Sequence, residues 1–168
     1  LQHSEKNRAE NLMIVDMIRN DMSRVAELGS VRVPNLFELE KYETLWTMTS
    51  TVKCKVQQDK SLTDILQALF PCASITGAPK VSTMGIIHDL ESSPRGIYCG
   101  SIGLIEPNGD TTFNVAIRTA VVDQETGTAT YGVGGGIVWD SEAESEWLET
   151  QTKSKILFPS RPRLMATL

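Results

Sequence analysis

The sequence is poor in histidine and cysteine, which restricts the metal and redox chemistry it can carry. It has two histidines, and its three cysteines, Cys54, Cys72 and Cys99, have no CxxC spacing. An odd number of thiols without that spacing favours reduced cysteines in a cytoplasm over a disulfide framework or a zinc site. Any bound metal is therefore expected to be held by oxygen ligands, as magnesium and calcium are.

Positive charge and long apolar runs are also scarce. The formal net charge is -5 over 168 residues, which argues against a general nucleic-acid binder because little basic surface is available for phosphates. No apolar run approaches the roughly 20 residues that cross a bilayer, and there is no signal-peptide pattern. We expect a soluble, cytoplasmic protein without a nucleic-acid or membrane partner. The hydrophobic content of 40% suffices for one sizeable core, so one domain is the default expectation.

The first segment with a clear period, residues 4–26, predicts a helix that ends before Gly29. Glu10 lies in line with Ile14 and Ile18 on the apolar face of that helix. A carboxylate buried on such a face must be paired, protonated or bound to a metal. The alternative is that Glu10 stays solvated in the frayed first turns.

The remaining pattern alternates strands and helices. The predicted helices are residues 61–70, with a capping box from Ser61 to Asp64, and residues 79–91. The predicted strands are residues 29–33, 44–56, 97–105, 111–122 and 128–138, with 34–43 as a connection. Turn signals join the last three strands into an antiparallel meander. Tyr98 and Arg118 fall on these strands, and Arg118 is either an outward-facing edge residue or a carboxylate clamp.

The stretch from 131 to 153 combines a glycine run with an acidic helix. Glycines at 132, 134, 135 and 136 let a ligand approach the main chain, although a kinked strand has the same composition. A helix that starts with a Ser141–Glu144 capping box would carry on one face Glu142, Glu146, Glu149 and Lys153. Its separate apolar stripe would comprise Ala143, Trp147, Leu148 and Ile156. A metal beside a bound anion is one interpretation, and a solvated acidic face is the other.

Six segments, in order, resemble the chorismate-utilising enzymes, a family that includes anthranilate synthase component I, aminodeoxychorismate synthase component I, isochorismate synthase and salicylate synthase. They are AENLMIVDMIRND, SITGAPK, GIYCGSIG, NVAIRTA, GVGGGIVWDS and ESEWLETQTK. The resemblance implies an α+β fold, an α/β sandwich of antiparallel sheets flanked by helices. This chain would be its C-terminal part, with residues 1–157 in the chorismate-binding domain and 158–168 as a tail or linker.

The resemblance also implies roles for individual residues. The ligands of Mg²⁺ would be Glu10, Glu146 and Glu149. Substrate would be bound by Tyr98, Arg118, Gly134, Gly135, Gly136 and Lys153. Ser74 matches a hydroxyl beside the substrate ring. Thr47 stands where anthranilate synthase-like members carry a histidine linked to pyruvate elimination, which favours a product that keeps its enolpyruvyl group.

Within the family, SITGAPK and WTMTSTV resemble most the aminodeoxychorismate synthase branch. Its reaction replaces the chorismate 4-hydroxyl by ammonia from a glutamine amidotransferase subunit, on the way to p-aminobenzoate and folate. The nucleophilic lysine of that branch lies in a Pro-Ile-Lys-Gly-Thr motif upstream of the first helix, so we expect a fragment that is inactive alone. The alternatives are anthranilate synthesis, another chorismate reaction, or a non-catalytic module that binds an anionic metabolite. The tail, residues 158–168, either leads into a fused lyase domain or ends the chain.

Overall fold

The computed structural model describes residues 4–41 and 46–155, so the predicted tail and Ile156 lie outside the described residues. The chain divides into two compact units between His88 and Asp89. The helices are α1 (Glu5–Ser23), α2 (Leu62–Leu69), α3 (Ala73–Thr76), α4 (Lys80–Leu90) and α5 (Ala143–Ser154). The strands are β1 (Arg32–Lys41), β2 (Trp46–Lys53), β3 (Gly103–Ile105), β4 (Thr111–Phe113), β5 (Ala120–Asp123) and β6 (Thr128–Tyr131). Among the described residues, no helix is long and apolar enough to cross a membrane.

Helix α1 begins at Glu5, one residue after the predicted start at 4, and it ends at Ser23, before the predicted limit at 26. The Ser4 hydroxyl accepts from the Asn7 N–H at 3.3 Å, which satisfies one donor of the first turn. The backbone just after the helix forms hydrogen bonds with the segment that follows β2. Glu27 N–H donates to Lys55 O at 2.8 Å, and Gln57 N–H donates to Val25 O at 2.9 Å. This pairing holds the end of α1 against the segment that follows β2.

Strand β1 occupies most of the segment 34–43 that was predicted as a connection, so that prediction was wrong. β1 pairs with β2 antiparallel, with register shifts between Arg32 and Asn35 and between Asn35 and Glu38. Pro34 lies within the first irregularity, where a missing N–H removes no regular ladder bond. Phe37 has a φ of 59°, and its N–H donates to Ser50 Oγ at 3.0 Å. Burial still alternates along β1, because every second residue from 33 to 39 is half-buried and its neighbours are exposed.

Short helices complete the first unit. The predicted capping box at the start of α2 is present, with Ser61 N–H donating to Asp64 Oδ2 at 2.7 Å and Asp64 N–H to Ser61 Oγ at 3.2 Å. Helix α4 begins at Lys80, directly after the proline that predicted its first turn. Lys80 Nζ donates to Asp21 Oδ2 and to Ala68 O, both at 3.0 Å. This largely buried ion pair joins α1 to the α2–α4 segment.

The second unit contains two hairpins, and its strands are shorter than predicted. β3 pairs with β4 and β5 with β6, both antiparallel, so the two predicted turns are confirmed. The predicted pairing of the second and third meander strands was wrong, because β4 and β5 belong to separate two-stranded sheets. Irregular backbone continues the first hairpin, as Ala116 N–H donates to Gly100 O at 2.9 Å. Helices combined with small antiparallel sheets confirm the predicted α+β class.

Buried side chains in the described residues are few and small. They include Val15, Val25 and Ala73 in the first unit and Cys99 and Ala116 in the second. Small side chains bury little apolar area each, so close backbone approaches and hydrogen bonds contribute much of the local order. Such approaches occur between Gly103 and the ring of Phe113 and in the glycine-rich segment after β6.

Candidate functional site

The glycine loop (residues 132–136) follows β6 and lies against the ring of Tyr98. A Cβ atom at Gly132 would lie 2.4 Å from Tyr98 Cγ, and one at Gly134 would lie 2.9 Å from Tyr98 Oη. Glycine is needed at 132 because the ring occupies the space of a side chain. The N–H groups of residues 134–136 donate to no acceptor within the described parts of the chain, so they can donate to an anion.

Tyr98 lies in a turn before β3, which corrects its predicted place on a strand. The next residue, Cys99, has a φ of 66°, and its N–H donates to Ala116 O at 3.0 Å. Burial is the main cause that raises the pKa of Tyr98 to about 12, with a contribution from the neighbouring Cys99. At neutral pH the phenol is protonated, as that of an ordinary tyrosine is, and it can donate a hydrogen bond to a ligand oxygen.

Arg118 is also off the predicted strand. It lies in irregular backbone between β4 and β5, with a φ of 51° and an exposed side chain. Because Ala116 pairs with Cys99, the backbone two residues before Arg118 passes beside the turn that holds Tyr98. Within the described residues the two predicted clamp side chains do not contact each other, but their main chains are neighbours in one unit.

Helix α5 places one ammonium group and two carboxylates beside the glycine loop. Lys153 Nζ forms an ion pair with Glu149 Oε1 at 2.6 Å and donates to Gly134 O at 3.1 Å. A Cβ atom at Gly135 would lie 2.9 Å from Glu146 Oε2 and 3.8 Å from Glu149 Oε1. The predicted common face of these three side chains is present, and it faces the main chain of the loop.

The predicted capping box of this helix was wrong. Glu142 is the N-cap residue and makes no side-chain cap bond. The hydroxyl of Ser141 instead donates to Glu146 Oε1 at 2.6 Å and accepts from Val138 N–H at 3.1 Å. Ser141 therefore orients a site carboxylate, because the loop places its hydroxyl nearer to Glu146 than to the first helical N–H groups.

The predicted packing role of the apolar stripe was also wrong for its described members. Ala143 is exposed, and Trp147 and Leu148 retain 47% and 59% exposure. The half-buried positions of α5 include Glu146 and Lys153 instead. The glycine loop packs against the charged face, so the helix orientation follows the site rather than the apolar pattern.

The first unit holds the other three predicted site residues. Glu10 is exposed on α1, which agrees with the solvated alternative and not with a buried face, and Thr47 is half-buried on β2. Ser74 lies on α3 with Oγ 3.0 Å from Cys72 Sγ. Both β2 and α3 pack against α1. Asn11, next to Glu10, donates to the carbonyl of Met48, next to Thr47, at 3.3 Å.

A metal site is only partly formed by the described residues. Within 4–41 and 46–155, no group of three or more histidine, cysteine, aspartate or glutamate side chains could hold a metal ion. Glu146 and Glu149 supply the hard oxygen donors that Mg²⁺ prefers, and both lie beside Gly135. Glu10 belongs to the other unit. The donor chemistry of the two α5 carboxylates therefore fits two ligands of a magnesium ion.

Sequence reasoning missed Arg95, Glu91 and the packing role of Gly132. The Arg95 guanidinium carbon lies 5.7 Å from the centre of the Tyr98 ring, and Nη2 forms an ion pair with Glu91 Oε1 at 2.6 Å. An arginine three positions before a site tyrosine is a weak signal by itself. Only the turn that holds Tyr98 brings these groups together.

Comparison with known proteins gives consistent matches over most of the chain. The family profile described as chorismate binding enzyme matches residues 1–159. A probable chloroplastic aminodeoxychorismate synthase from Oryza sativa subsp. japonica is 48% identical over 92% of this chain and 17% of its own length. An anthranilate synthase component 1 from Haloarcula marismortui is 46% identical over 88% of this chain and 28% of its own length. The crystal structure of anthranilate synthase component I from Streptococcus pneumoniae TIGR4 superposes with a TM-score of 0.77 at 36% identity, covering 90% of this chain and 34% of that one.

Proposed function

The chain belongs to the chorismate binding enzyme family, and we propose that its protein is an aminodeoxychorismate synthase component I. The reaction would be the Mg²⁺-dependent amination of chorismate to 4-amino-4-deoxychorismate. The observation that carries the proposal is the convergence of Tyr98, Lys153 and two carboxylates on the glycine loop. The chain spans 17% of the Oryza relative, so it would contribute part of the site, and the other catalytic groups would come from elsewhere in the protein.

The loop side of the site would bind substrate carboxylates. The N–H groups of residues 134–136, which have no acceptor among the described residues, and the ammonium group of Lys153 are donors that a carboxylate accepts from. Tyr98 would add a hydroxyl donor, because its Oη lies beside Gly134, at 2.9 Å from the position of a Cβ atom there. Lys153 also forms an ion pair with Glu149 at 2.6 Å, which fixes the direction of the ammonium group before substrate arrives. Arg118 would complete the clamp from the neighbouring segment.

The acidic side of the site would hold the magnesium ion. Glu146 and Glu149 would be ligands from α5, and Glu10 would be the ligand from α1. Ser141 donates to Glu146 Oε1 and leaves Oε2 directed toward Gly135. When bound, Mg²⁺ supplies charge stabilisation for a ring carboxylate and for a leaving hydroxyl. Ser141 contacts the carboxylate of Glu146, and Lys153 contacts that of Glu149, so both carboxylates are held in position.

The choice of product rests on the first unit. Thr47 is half-buried on β2, next to the carbonyl that Asn11 binds, so a side chain at this position has a defined direction. A threonine cannot act as the imidazole acid or base at neutral pH. We infer that the enolpyruvyl group is retained, which favours aminodeoxychorismate. Anthranilate is the competing product, because an anthranilate synthase component 1 matches at 46% identity.

The partner would be a glutamine amidotransferase subunit that delivers ammonia. The three cysteines are free, which supports a reducing compartment such as the cytoplasm. The proposed pathway is the synthesis of p-aminobenzoate and folate.

Product analysis tests the proposal. The full-length protein, incubated with chorismate, Mg²⁺ and either ammonia or its glutaminase subunit, should form aminodeoxychorismate. Anthranilate as the product would replace the proposed reaction by the competing one. The present chain alone should form neither, and amination by it would refute its role as a part of the site.

Variants on α5 test the site. Lys153→Gln should raise the KM for chorismate by about 10- to 100-fold, because it removes a charged hydrogen-bond donor. Glu149→Ala should raise the Mg²⁺ concentration needed for half-maximal activity, because it removes a proposed ligand. Glu144→Ala, an exposed residue of the same helix, is the matched control and should change neither. If Glu149→Ala leaves both chorismate affinity and Mg²⁺ dependence untouched, the chain is a binding module with surface carboxylates.

Two glycine variants distinguish an effect on Mg²⁺ binding from an effect on the stability of the fold. Gly135→Ala would place a Cβ atom 2.9 Å from Glu146 Oε2, the end of a flexible side chain, whereas Gly136→Ala meets nothing within 4 Å. Gly135→Ala should therefore raise the Mg²⁺ concentration needed for half-maximal activity with little loss of stability. Equal Mg²⁺ requirements in both variants would show that Glu146 is not a ligand.

A further inference from the structure

Arg95 is held in one orientation by a carboxylate four residues earlier. Its Nε donates to Glu91 Oε2 at 2.9 Å and to Oε1 at 3.1 Å, and its Nη2 donates to Oε1 at 2.6 Å. These bonds lower the pKa of Glu91 and raise that of Arg95, as expected for a close ion pair. Such a fork-like pair fixes the plane of the guanidinium group, unlike a single contact.

The other nitrogen of the guanidinium group is directed toward the turn that carries Tyr98. Nη1 donates to the sulfur of Cys99 at 3.4 Å, and the Arg95 guanidinium carbon lies 5.7 Å from the centre of the Tyr98 ring. Cys99 is buried, with a left-handed backbone. Arg95 therefore contacts both residues at the tip of the turn, one through its sulfur and one through its ring.

The same ring contacts the glycine loop. Cγ, Cδ2 and Cδ1 of Tyr98 lie 2.4, 2.7 and 2.8 Å from the position of a Cβ atom at Gly132, and Oη lies 2.9 Å from that position at Gly134. A continuous series of contacts thus runs from Glu91 through Arg95 and Tyr98 to the glycine loop. Movement of the ring would change the position of the loop that is proposed to bind carboxylate.

We propose that Arg95, oriented by Glu91, is a positioning residue that holds the Tyr98 ring against the glycine loop and thereby sets the affinity for substrate. This inference rests on the proposed function, because Tyr98 and the loop are its substrate-binding groups. Lysine cannot replace Arg95, since a single ammonium group cannot bind Glu91 through two nitrogens while also contacting the sulfur and the ring. Arg95 itself touches no reacting atom in this scheme.

A double-mutant cycle in the full-length protein tests the positioning role. Arg95→Lys should raise the KM for chorismate by about tenfold and change kcat less. In a Tyr98→Ala background the same substitution should have no further effect, because the ring through which Arg95 acts is gone. Arg32→Lys, at an exposed arginine, is the matched control. Independent, multiplicative effects of the Arg95 and Tyr98 substitutions would overturn the proposal.

Two further measurements keep the proposal testable if Arg95→Lys folds poorly or the substrate is different. Glu91→Gln should also raise the KM for chorismate, but by a smaller factor than Arg95→Lys, because glutamine keeps a hydrogen-bond acceptor for Arg95 and loses the charge. Hydrogen exchange of the Tyr98 and Cys99 amides, which donate to Arg95 O and Ala116 O, should become faster in Arg95→Lys than in wild type without any ligand. Unchanged exchange and an unchanged KM in folded variants would overturn the inference. If the wild type does not use chorismate, the proposed function fails, and faster exchange of the Tyr98 and Cys99 amides would still support the positioning role.

Discussion

Replacing Gly132 by alanine should disrupt the contact on which the candidate site depends. The added Cβ atom would lie 2.4 Å from Tyr98 Cγ, 2.7 Å from Cδ2 and 2.8 Å from Cδ1. Ordinary contacts between carbon atoms are about 3.5 to 4.0 Å, so the ring or the loop must move by about 1 Å. An aromatic ring held by a turn and by Arg95 cannot relieve the overlap by rotating a flexible end.

The expected cost follows from two opposing effects. Overpacking of this kind destabilises proteins by about 1 to 3 kcal/mol. Alanine also restricts the unfolded chain, which returns about 0.4 to 1 kcal/mol. The free energy of unfolding of the Gly132→Ala protein should therefore fall by about 0 to 2.6 kcal/mol relative to wild type, and it should lie about 1 to 3 kcal/mol below that of a Gly→Ala variant without the overlap. Its KM for chorismate should rise because the Tyr98 hydroxyl is displaced.

Urea denaturation followed by tryptophan fluorescence measures the stability, and steady-state kinetics measures the KM. Gly136→Ala is the matched control in the same loop, since a Cβ atom there meets nothing within 4 Å. It should be as stable as wild type or slightly more stable. The loss of stability caused by Gly132→Ala should also be much smaller in a Tyr98→Ala background, because the overlapping ring is absent.

A Gly132→Ala protein as stable as the Gly136→Ala protein would refute the overlap with the Tyr98 ring. The overlap would equally be refuted if the cost of Gly132→Ala were unchanged in the Tyr98→Ala background. Either result would mean that the ring does not occupy the space beside Gly132.

Two other predictions concern charges. Asp21→Ala should lower the free energy of unfolding by about 3 kcal/mol or more, because it leaves Lys80 charged in a largely buried place, whereas Asp16→Ala, in an exposed pair, should cost at most about 1 kcal/mol. Equal costs in urea denaturation would contradict the buried pair. Glu91→Gln should be less stable than wild type at pH 6, and the difference should shrink as the pH falls below 4.5, the ordinary pKa of a glutamate. The reason is that Arg95 lowers the pKa of the folded carboxylate, so its stabilisation is present above the unfolded pKa and is lost as the pH falls through the folded one. A difference that stays constant from pH 6 to pH 3 would argue against the ion pair.

Local signals predicted the parts of the fold that depend on nearby residues. The capping box of α2, the start of α4 after a proline and the turns of both hairpins each involve residues within a few positions of each other. Such interactions act in the same way wherever the segment lies in the fold. They were therefore visible in the sequence.

The failures came where contacts between distant segments overrode the local preference. Pro34 marks a loop by its local preference, yet β2 recruits its segment as an irregular strand. Ser141 has the sequence of a cap, but its hydroxyl donates to Glu146 because the glycine loop brings the two together. In both cases a partner outside the local window provides the better hydrogen bonds.

The sequence by itself determined the family, the α+β class and the residue types of the candidate site, because motif order and hydrophobic period are properties of the chain. It also placed Glu146, Glu149 and Lys153 on one helical face, since helix geometry alone sets that spacing. Only the tertiary structure decided which face of α5 meets the glycine loop, and it brought Tyr98 against Gly132 and Arg95 against Tyr98. These contacts depend on packing between segments that have no local signal for one another, and the absence of a side chain at Gly132 is informative only when the ring beside it is known.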